Sequence, residues 1–167
     1  MDIPIKFDEI LKVLVDHGVD FILVGGVAAI LEGAPLSTLD VDVVFLRREE
    51  NMPPLLNALR ALGARYVDPA GRHILPDADK LSSLRMHRLK TEFGPLDVME
   101  TIGHGLSYAD LIGDTQVMEI AGINVRVLGL ETIILSKEQA NREKDRATLH
   151  VLRRTLRLKQ GSGEPES

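Results

Sequence analysis

The chain has 167 residues, 44% of them hydrophobic, a formal net charge of −5 and no cysteine. That composition suits one globular domain with one core and excludes a disulfide scaffold or a thiolate metal site. It also argues against a protein that coats DNA, which needs an excess of Lys and Arg.

The longest apolar runs fall far short of the ~20 residues that cross a bilayer, and Met1-Asp2-Ile3-Pro4 lacks the basic and apolar regions of a signal peptide. A cytoplasmic protein with no membrane association is the expectation. Charge is unevenly spread. Lys137, Arg142, Lys144, Arg146, Arg153, Arg154, Arg157 and Lys159 face only Glu138, Glu143 and Asp145, so an acidic body ends in a basic segment able to accept a polyanion.

Phe7, Ile10, Leu11 and Leu14 recur at helical spacing, predicting a helix over about 6–17 stopped by Gly18. Residues 21–24 read as a short strand running into Gly25-Gly26, followed by a helix over 27–31. Residues 39–46 are rich in β-branched side chains and predict a second strand. Asn51 is placed to cap a helix striped with Leu55, Leu56, Leu59 and Leu62. Residues 66–80 read as loop or weak strand. Strands are predicted at 84–90 and 96–102 about a Phe93-Gly94-Pro95 turn, then a short helix near 108–112. A hairpin of 115–121 and 123–128 about Gly122 and two closing helices over 130–140 and 144–158 complete the order. The sequence from Gln160 onward has nothing to bury and is expected to be disordered, leaving one domain over 1–159. This order predicts an α/β (α+β) fold with a mixed sheet and helices packed against it.

Asp40 and Asp42 are one residue apart on the second predicted strand. Alternation sends both carboxylates to one face and Leu39, Val41 and Val43 to the other. Two carboxylates so placed repel unless a cation lies between them, and Mg²⁺ takes such pairs together with substrate phosphates. An isolated pair of this kind is more often a solvated strand face. Three neighbours favour a site: Gly25-Gly26, where missing Cβ atoms let a phosphate approach the backbone; the Ser37-Thr38 hydroxyls; and Asp97, a carboxylate inside the apolar run Pro95-Leu96-Asp97-Val98-Met99. His73, His87, His104 and His150 show no metal-ligand spacing. His87, in the basic stretch 85–90, reads as a solvated strand position, and His104 as loop.

Read as a set, Phe21-Ile-Leu-Val-Gly-Gly26, Thr38-Leu-Asp-Val-Asp42 and Leu96-Asp97-Val98 resemble the nucleotidyltransferase superfamily that includes DNA polymerase β, in particular its minimal bacterial and archaeal members. The stretch from Leu128 to Lys137, followed by Arg142-Glu-Lys144-Asp145, resembles the AbiEii-type toxin branch. The resemblance implies a Mg²⁺-dependent (alternatively Mn²⁺-dependent) enzyme that moves a nucleoside monophosphate from a nucleoside triphosphate such as ATP to an acceptor hydroxyl. Asp40, Asp42 and Asp97 would be catalytic metal ligands, and Gly25, Gly26, Ser37, Thr38, Lys137, Lys144 and Asp145 would bind nucleotide. It further implies a toxin with an antitoxin partner, and tRNA or another RNA as acceptor, with a protein or a small molecule such as an aminoglycoside left open. Leu149, Leu152 and Leu156 follow Asp145 at 4, 3 and 4 residues and place it on the apolar face of its helix, which supports an inward role; the alternative is that it caps the helix N-terminus and favours its dipole. One departure stands out: Leu36 occupies a position where related sequences often carry Arg, so a phosphate-steering arginine is either lost or replaced by another base such as Arg85, Arg88 or Lys90. That favours the alternative of a non-catalytic nucleotide-binding or interaction module.

Overall fold

The computed structural model describes residues 6–161. Two features set its centre: apolar runs too short for helices, and glycines that turn the chain back. The first helix, α1 (Phe7–Asp16), buries Phe7, Ile10, Leu11 and Leu14, the stripe expected from spacing. β1 (Phe21–Val24) is buried along its whole length and turns at Gly25 into α2 (Gly25–Leu31). β2 (Val41–Phe45) returns antiparallel to β1, with Val24 opposite Asp42.

α3 (Met52–Ala61) follows, with Pro53 and Pro54 in its first turn, where a missing N–H costs nothing. Asn51 does not cap it. Its side chain accepts from Asp20 N at 2.8 Å and donates to the carbonyls of Asp20 and Leu46, tying the start of β1 to the end of β2.

The stretch expected to be loop holds two elements, β3 (Arg65–Tyr66) and α4 (Ala78–Ser83), the latter capped by the Asp77 side chain. β4 (Met86–Thr91) and β5 (Gly94–Met99) form the next hairpin. Its turn lies earlier than expected, because the Thr91 hydroxyl donates to Gly94 O and accepts from Phe93 N, closing the loop at 92–93. A small ribbon of β6 (Thr101–Ile102) and β7 (Leu106–Ser107) leads to α5 (Tyr108–Leu111). β8 (Thr115–Ile120) and β9 (Ile123–Leu128) pair about Ala121-Gly122. The chain closes with α6 (Leu130–Ala140) and α7 (Glu143–Gly161). Gln160 and Gly161, expected in the disordered tail, are the last residues of α7, and Gln160 Nε2 reaches Glu131 at 3.3 Å. The rest of that tail lies outside the described residues.

Seven strands form one mixed sheet in the order β3-β4-β5-β2-β1-β9-β8. The β5/β2 and β1/β9 contacts are parallel and the others antiparallel. The central strands carry the core: Ile22, Leu23, Val43, Val44, Phe45, Leu96, Val98 and Val127 are fully buried. Among the described residues, no helix is long and apolar enough to cross a membrane.

Candidate functional site

Parallel pairing of β2 and β5 sets Asp42 opposite Asp97. Two carboxylates that are far apart in sequence thus meet on adjacent strands, on the face that the strand alternation leaves polar. Neighbouring strands lie only ~4.8 Å apart, so the two groups repel when both are ionised. Asp42 is raised to about 7, first by burial, then by Asp97 and Asp40, and by a side-chain hydrogen bond with Asp97; Lys137 opposes the rise. Asp97 is raised as well, chiefly by burial, with Arg88 pulling it down. Burial and mutual repulsion therefore hold both carboxyls above the usual carboxylate range.

Asp40 is placed differently from the expectation. β2 begins at Val41, so Asp40 sits just ahead of the strand on an exposed turn, where its amide lies 3.4 Å from the Thr38 hydroxyl. Leu39 does not turn inward with Val41 and Val43; it is 80% exposed. Asp40 acts on Asp42 and Asp97 through its charge. Among the described residues, no group of three or more His, Cys, Asp or Glu side chains is gathered closely enough to hold a metal ion. The adjoining Asp42 and Asp97 are still a donor set that suits Mg²⁺, which takes one or two carboxylates and completes its shell with phosphate and water.

Gly25 has φ +69°, a backbone conformation that side chains disfavour, and a Cβ there would fall on the Asp42 carboxylate. The residue type is thus set twice, by backbone and by space. A Cβ on Gly26 would lie 3.0 Å from both Cβ and Oγ1 of Thr38, so this second glycine lets the loop ahead of β2 close against α2. Gly25, Gly26, Thr38 and Asp42 are brought together. Ser37 lies exposed on that loop.

Cations form the other wall. Arg88 on β4 is opposite Asp97, with Nε 3.6 Å from Oδ1. Lys137, Arg142 and Lys144 line the same cleft, which encloses about 100 Å³ between Val24, Gly25, Asp42, Asp97, Met99 and Ser136. Of the bases that could stand in for an arginine at position 36, the structure places Arg88 in the cleft; Arg142, which the sequence names only within the segment resembling the AbiEii-type branch, joins it. The signal for Arg88 is its spacing across the hairpin from Asp97, visible only once the turn is placed.

Asp145 is fully buried behind this wall, not in the cleft. It accepts from Arg142 Nε at 2.7 Å, Arg142 Nη2 at 3.1 Å and the Arg142 amide at 3.2 Å, and Lys137 Nζ is 3.4 Å away. Asp145 is thus inward on the apolar face, as its spacing predicts, and its carboxylate also accepts from the backbone at the start of α7. Burial would raise it; Arg142 and Lys137 outweigh that and hold it below the usual carboxylate range.

His87, expected on a solvated face, is fully buried. Its Nδ1 lies 2.8 Å from the Tyr66 hydroxyl, and burial lowers its pKa. The one-residue alternation of β4 places it with Leu89 on the covered side while Met86, Arg88 and Lys90 face out.

No family model matches the chain, and no curated protein is similar to it in sequence. Solved structures are similar in fold. The lincosamide antibiotic adenylyltransferase LnuA, lincomycin-bound, superposes with a TM-score of 0.58 at 16% identity, covering 89% of this chain and 94% of that one. ANT(2″)-Ia in complex with adenylyl-2″-tobramycin gives 0.56 at 18% identity, over 89% and 86% of the two chains. An antigenic nucleotidyltransferase-like protein from Paracoccidioides brasiliensis gives 0.54 at 20% identity, over 90% and 78%. The fold is that of the nucleotidyltransferases.

Proposed function

We propose that the protein transfers a nucleoside monophosphate from a nucleoside triphosphate to an acceptor hydroxyl, using the Asp42–Asp97 cleft. The observation that carries this reading is the juxtaposition of two partly buried carboxylates with four cations in a nucleotidyltransferase fold. Arg88 pairs with Asp97. The carboxylates alone have no use for Lys137, Arg142 and Lys144, which a triphosphate would engage.

Asp42 and Asp97, with Asp40 adding charge at the rim, would hold Mg²⁺ or Mn²⁺, and a divalent cation there supplies charge neutralisation for the nucleotide phosphates. Lys137, Arg142 and Lys144 bind the triphosphate and stabilise the negative charge that builds on the leaving group. Gly25 and Gly26, lacking Cβ atoms, let Asp42 and Thr38 pack against the start of α2, where the Thr38 hydroxyl would reach a phosphate oxygen. With a volume of about 100 Å³, the cleft is well below the ~300–1,000 Å³ of sites that enclose a whole small molecule. It fits the phosphates, with sugar and base lying outside.

In the chemical step the acceptor oxygen bonds to the α-phosphorus, the bond between that phosphorus and the bridging oxygen to the β-phosphate breaks, and pyrophosphate leaves. The hydroxyl proton passes to the Asp97 carboxylate, which acts as the general base in this scheme. Asp145 orients Lys137 and Arg142 from behind and does not touch substrate in this scheme. The protein would act in the cytoplasm, and partnership with an antitoxin, as for the AbiEii-type branch, belongs to the same proposal.

Incubation with each of the four α-³²P-labelled nucleoside triphosphates, Mg²⁺ and total RNA, cell protein or a panel of aminoglycosides tests the reading. Label transferred by the wild type and lost in Asp97→Asn supports it. Failure to label any acceptor class, with triphosphate binding intact, favours the non-catalytic nucleotide-binding module, the reading to which Leu36 points.

A further inference from the structure

The sheet leaves one surface uncovered beside the cleft, and its register defines which side chains share it. Arg65 is opposite Lys90, and Arg88 is opposite Asp97, so these four lie on one face across β3, β4 and β5. Tyr66, His87 and Leu89 take the other face, where Tyr66 and His87 meet. The uncovered face is therefore not a matter of loose side chains; it follows from strand alternation. Arg65 and Lys90 are exposed, and Arg88 is 57% exposed. Val67 and Met86 flank them at 43% and 44% exposure.

Arg65 and Lys90 have no carboxylate partner among the described residues, in a chain that is acidic overall. Three cations run from the sheet edge toward Asp97, the group that receives the acceptor's proton in the proposed transfer. A cationic acceptor such as an aminoglycoside would be repelled along this approach. Exposed cations spread over three strands suit a strand held by several weak phosphate contacts better than a small metabolite, which needs an enclosing pocket.

We infer that the uncovered β3–β4–β5 face is the acceptor subsite and that the acceptor is a single-stranded RNA, its phosphates lying on Arg65, Lys90 and Arg88 and its hydroxyl directed to Asp97. This rests on the transfer reading for the role of Asp97, whereas the RNA contact itself does not require nucleotide. Val67 and Met86 give apolar ground for the bases between the phosphate contacts. The competing polyanion surface is the outer face of α7, where His150, Arg154 and Arg157 are exposed.

The test is fluorescence anisotropy with a labelled, unstructured 12-nucleotide RNA in the absence of nucleoside triphosphate, over a range of salt. Proteins compared are the wild type, Arg65→Glu/Lys90→Glu, the milder Arg65→Gln/Lys90→Gln, and Arg154→Glu/Arg157→Glu, each checked for folding by circular dichroism. Three phosphate contacts on single-stranded RNA give a slope of log K against log salt of about −2, which falls to about −0.7 when two are removed. The β-face variants are expected to lose affinity at least ~10-fold with that reduced slope, and the α7 variant to bind as the wild type does. Loss confined to the α7 variant, equal loss in all variants, or no salt-dependent binding by the wild type overturns the inference. Nucleoside triphosphate titration of the same wild-type sample reports separately on the transfer site, so failure of either reading is visible without the other.

Discussion

At the level of single residues, the Asp42–Asp97 pair explains both a cost and a use. In the unfolded chain Asp42 titrates near 3.8, and in the folded protein near 7. A carboxylate raised on folding makes the native state hold more protons than the unfolded one between those values. Stability is then present below the lower value and lost as pH rises through the higher one. Each tenfold loss of acidity on folding is worth ~1.4 kcal/mol. Without divalent cation, Asp42→Asn should therefore be more stable than the wild type at pH 7.5 by on the order of 2–4 kcal/mol. The difference should vanish near pH 4. Thermal melts in EDTA across that range check it, and a variant no more stable than the wild type at pH 7.5 would show that the two carboxylates do not strain each other.

Gly25 is the second decisive residue. Gly25→Ala must place a Cβ in the left-handed region and on the Asp42 carboxylate. A cost of about 1–3 kcal/mol is expected from the backbone alone, and displacement of Asp42 should remove nucleotide binding even where the variant folds. The measurement is a melt combined with a nucleotide titration. Retained affinity would mean that Asp42 does not need its present position.

At the level of elements, a charge clasp ties α6 to α7 at the cleft end. Asp145, on the first turn of α7, holds Arg142 ahead of that helix and Lys137 on α6. Removing Asp145 loses its charge-assisted hydrogen bonds to Arg142 and Lys137, which themselves still reach solvent, so Asp145→Ala should lower stability by about 1.5–3 kcal/mol, a drop in Tm of about 3–12 °C for a chain of this size. It should also weaken nucleotide binding, because Lys137 and Arg142 lose their orientation. An unchanged Tm would show the clasp to be incidental. At the far end Glu32 makes a second clasp: buried at the end of α2, it accepts from Lys159 at 2.5 Å and Gln116 at 3.0 Å. Lys159 thus belongs to the fold and is subtracted from the basic surface that the sequence suggests for α7.

At the level of the whole molecule, what can be read in advance divides along physical lines. Elements with a strong apolar period, such as α1 with Phe7, Ile10, Leu11 and Leu14, are legible because local spacing alone dictates the buried face. Gly25-Gly26, Asp42 and Asp97 are legible as chemistry because carboxylates and glycines inside apolar runs conflict with burial unless something requires them. Elements held by distant partners are not. β3 is two residues long and exists through pairing with β4. His87 reads as solvated until alternation across the correctly placed hairpin turns it under Tyr66. Asp40 reads as part of the strand because β-branched neighbours extend the pattern, yet the loop before β2 closes on Gly26 through Thr38 and the strand begins one residue later. The Arg88–Asp97 contact and the Asp145 clasp depend on pairing and packing between segments, which one-dimensional spacing does not encode.

The central claim is that Asp42 and Asp97 together form a cation-dependent nucleotide site. Isothermal titration of ATP, CTP, GTP and UTP, with Mg²⁺ and then with EDTA, into the wild type and Asp42→Asn/Asp97→Asn addresses it most directly. At least one triphosphate should bind the wild type with Mg²⁺, lose at least ~10-fold in affinity in EDTA, and bind the variant equally weakly with or without the metal. Equal, metal-independent binding by both proteins would contradict the account.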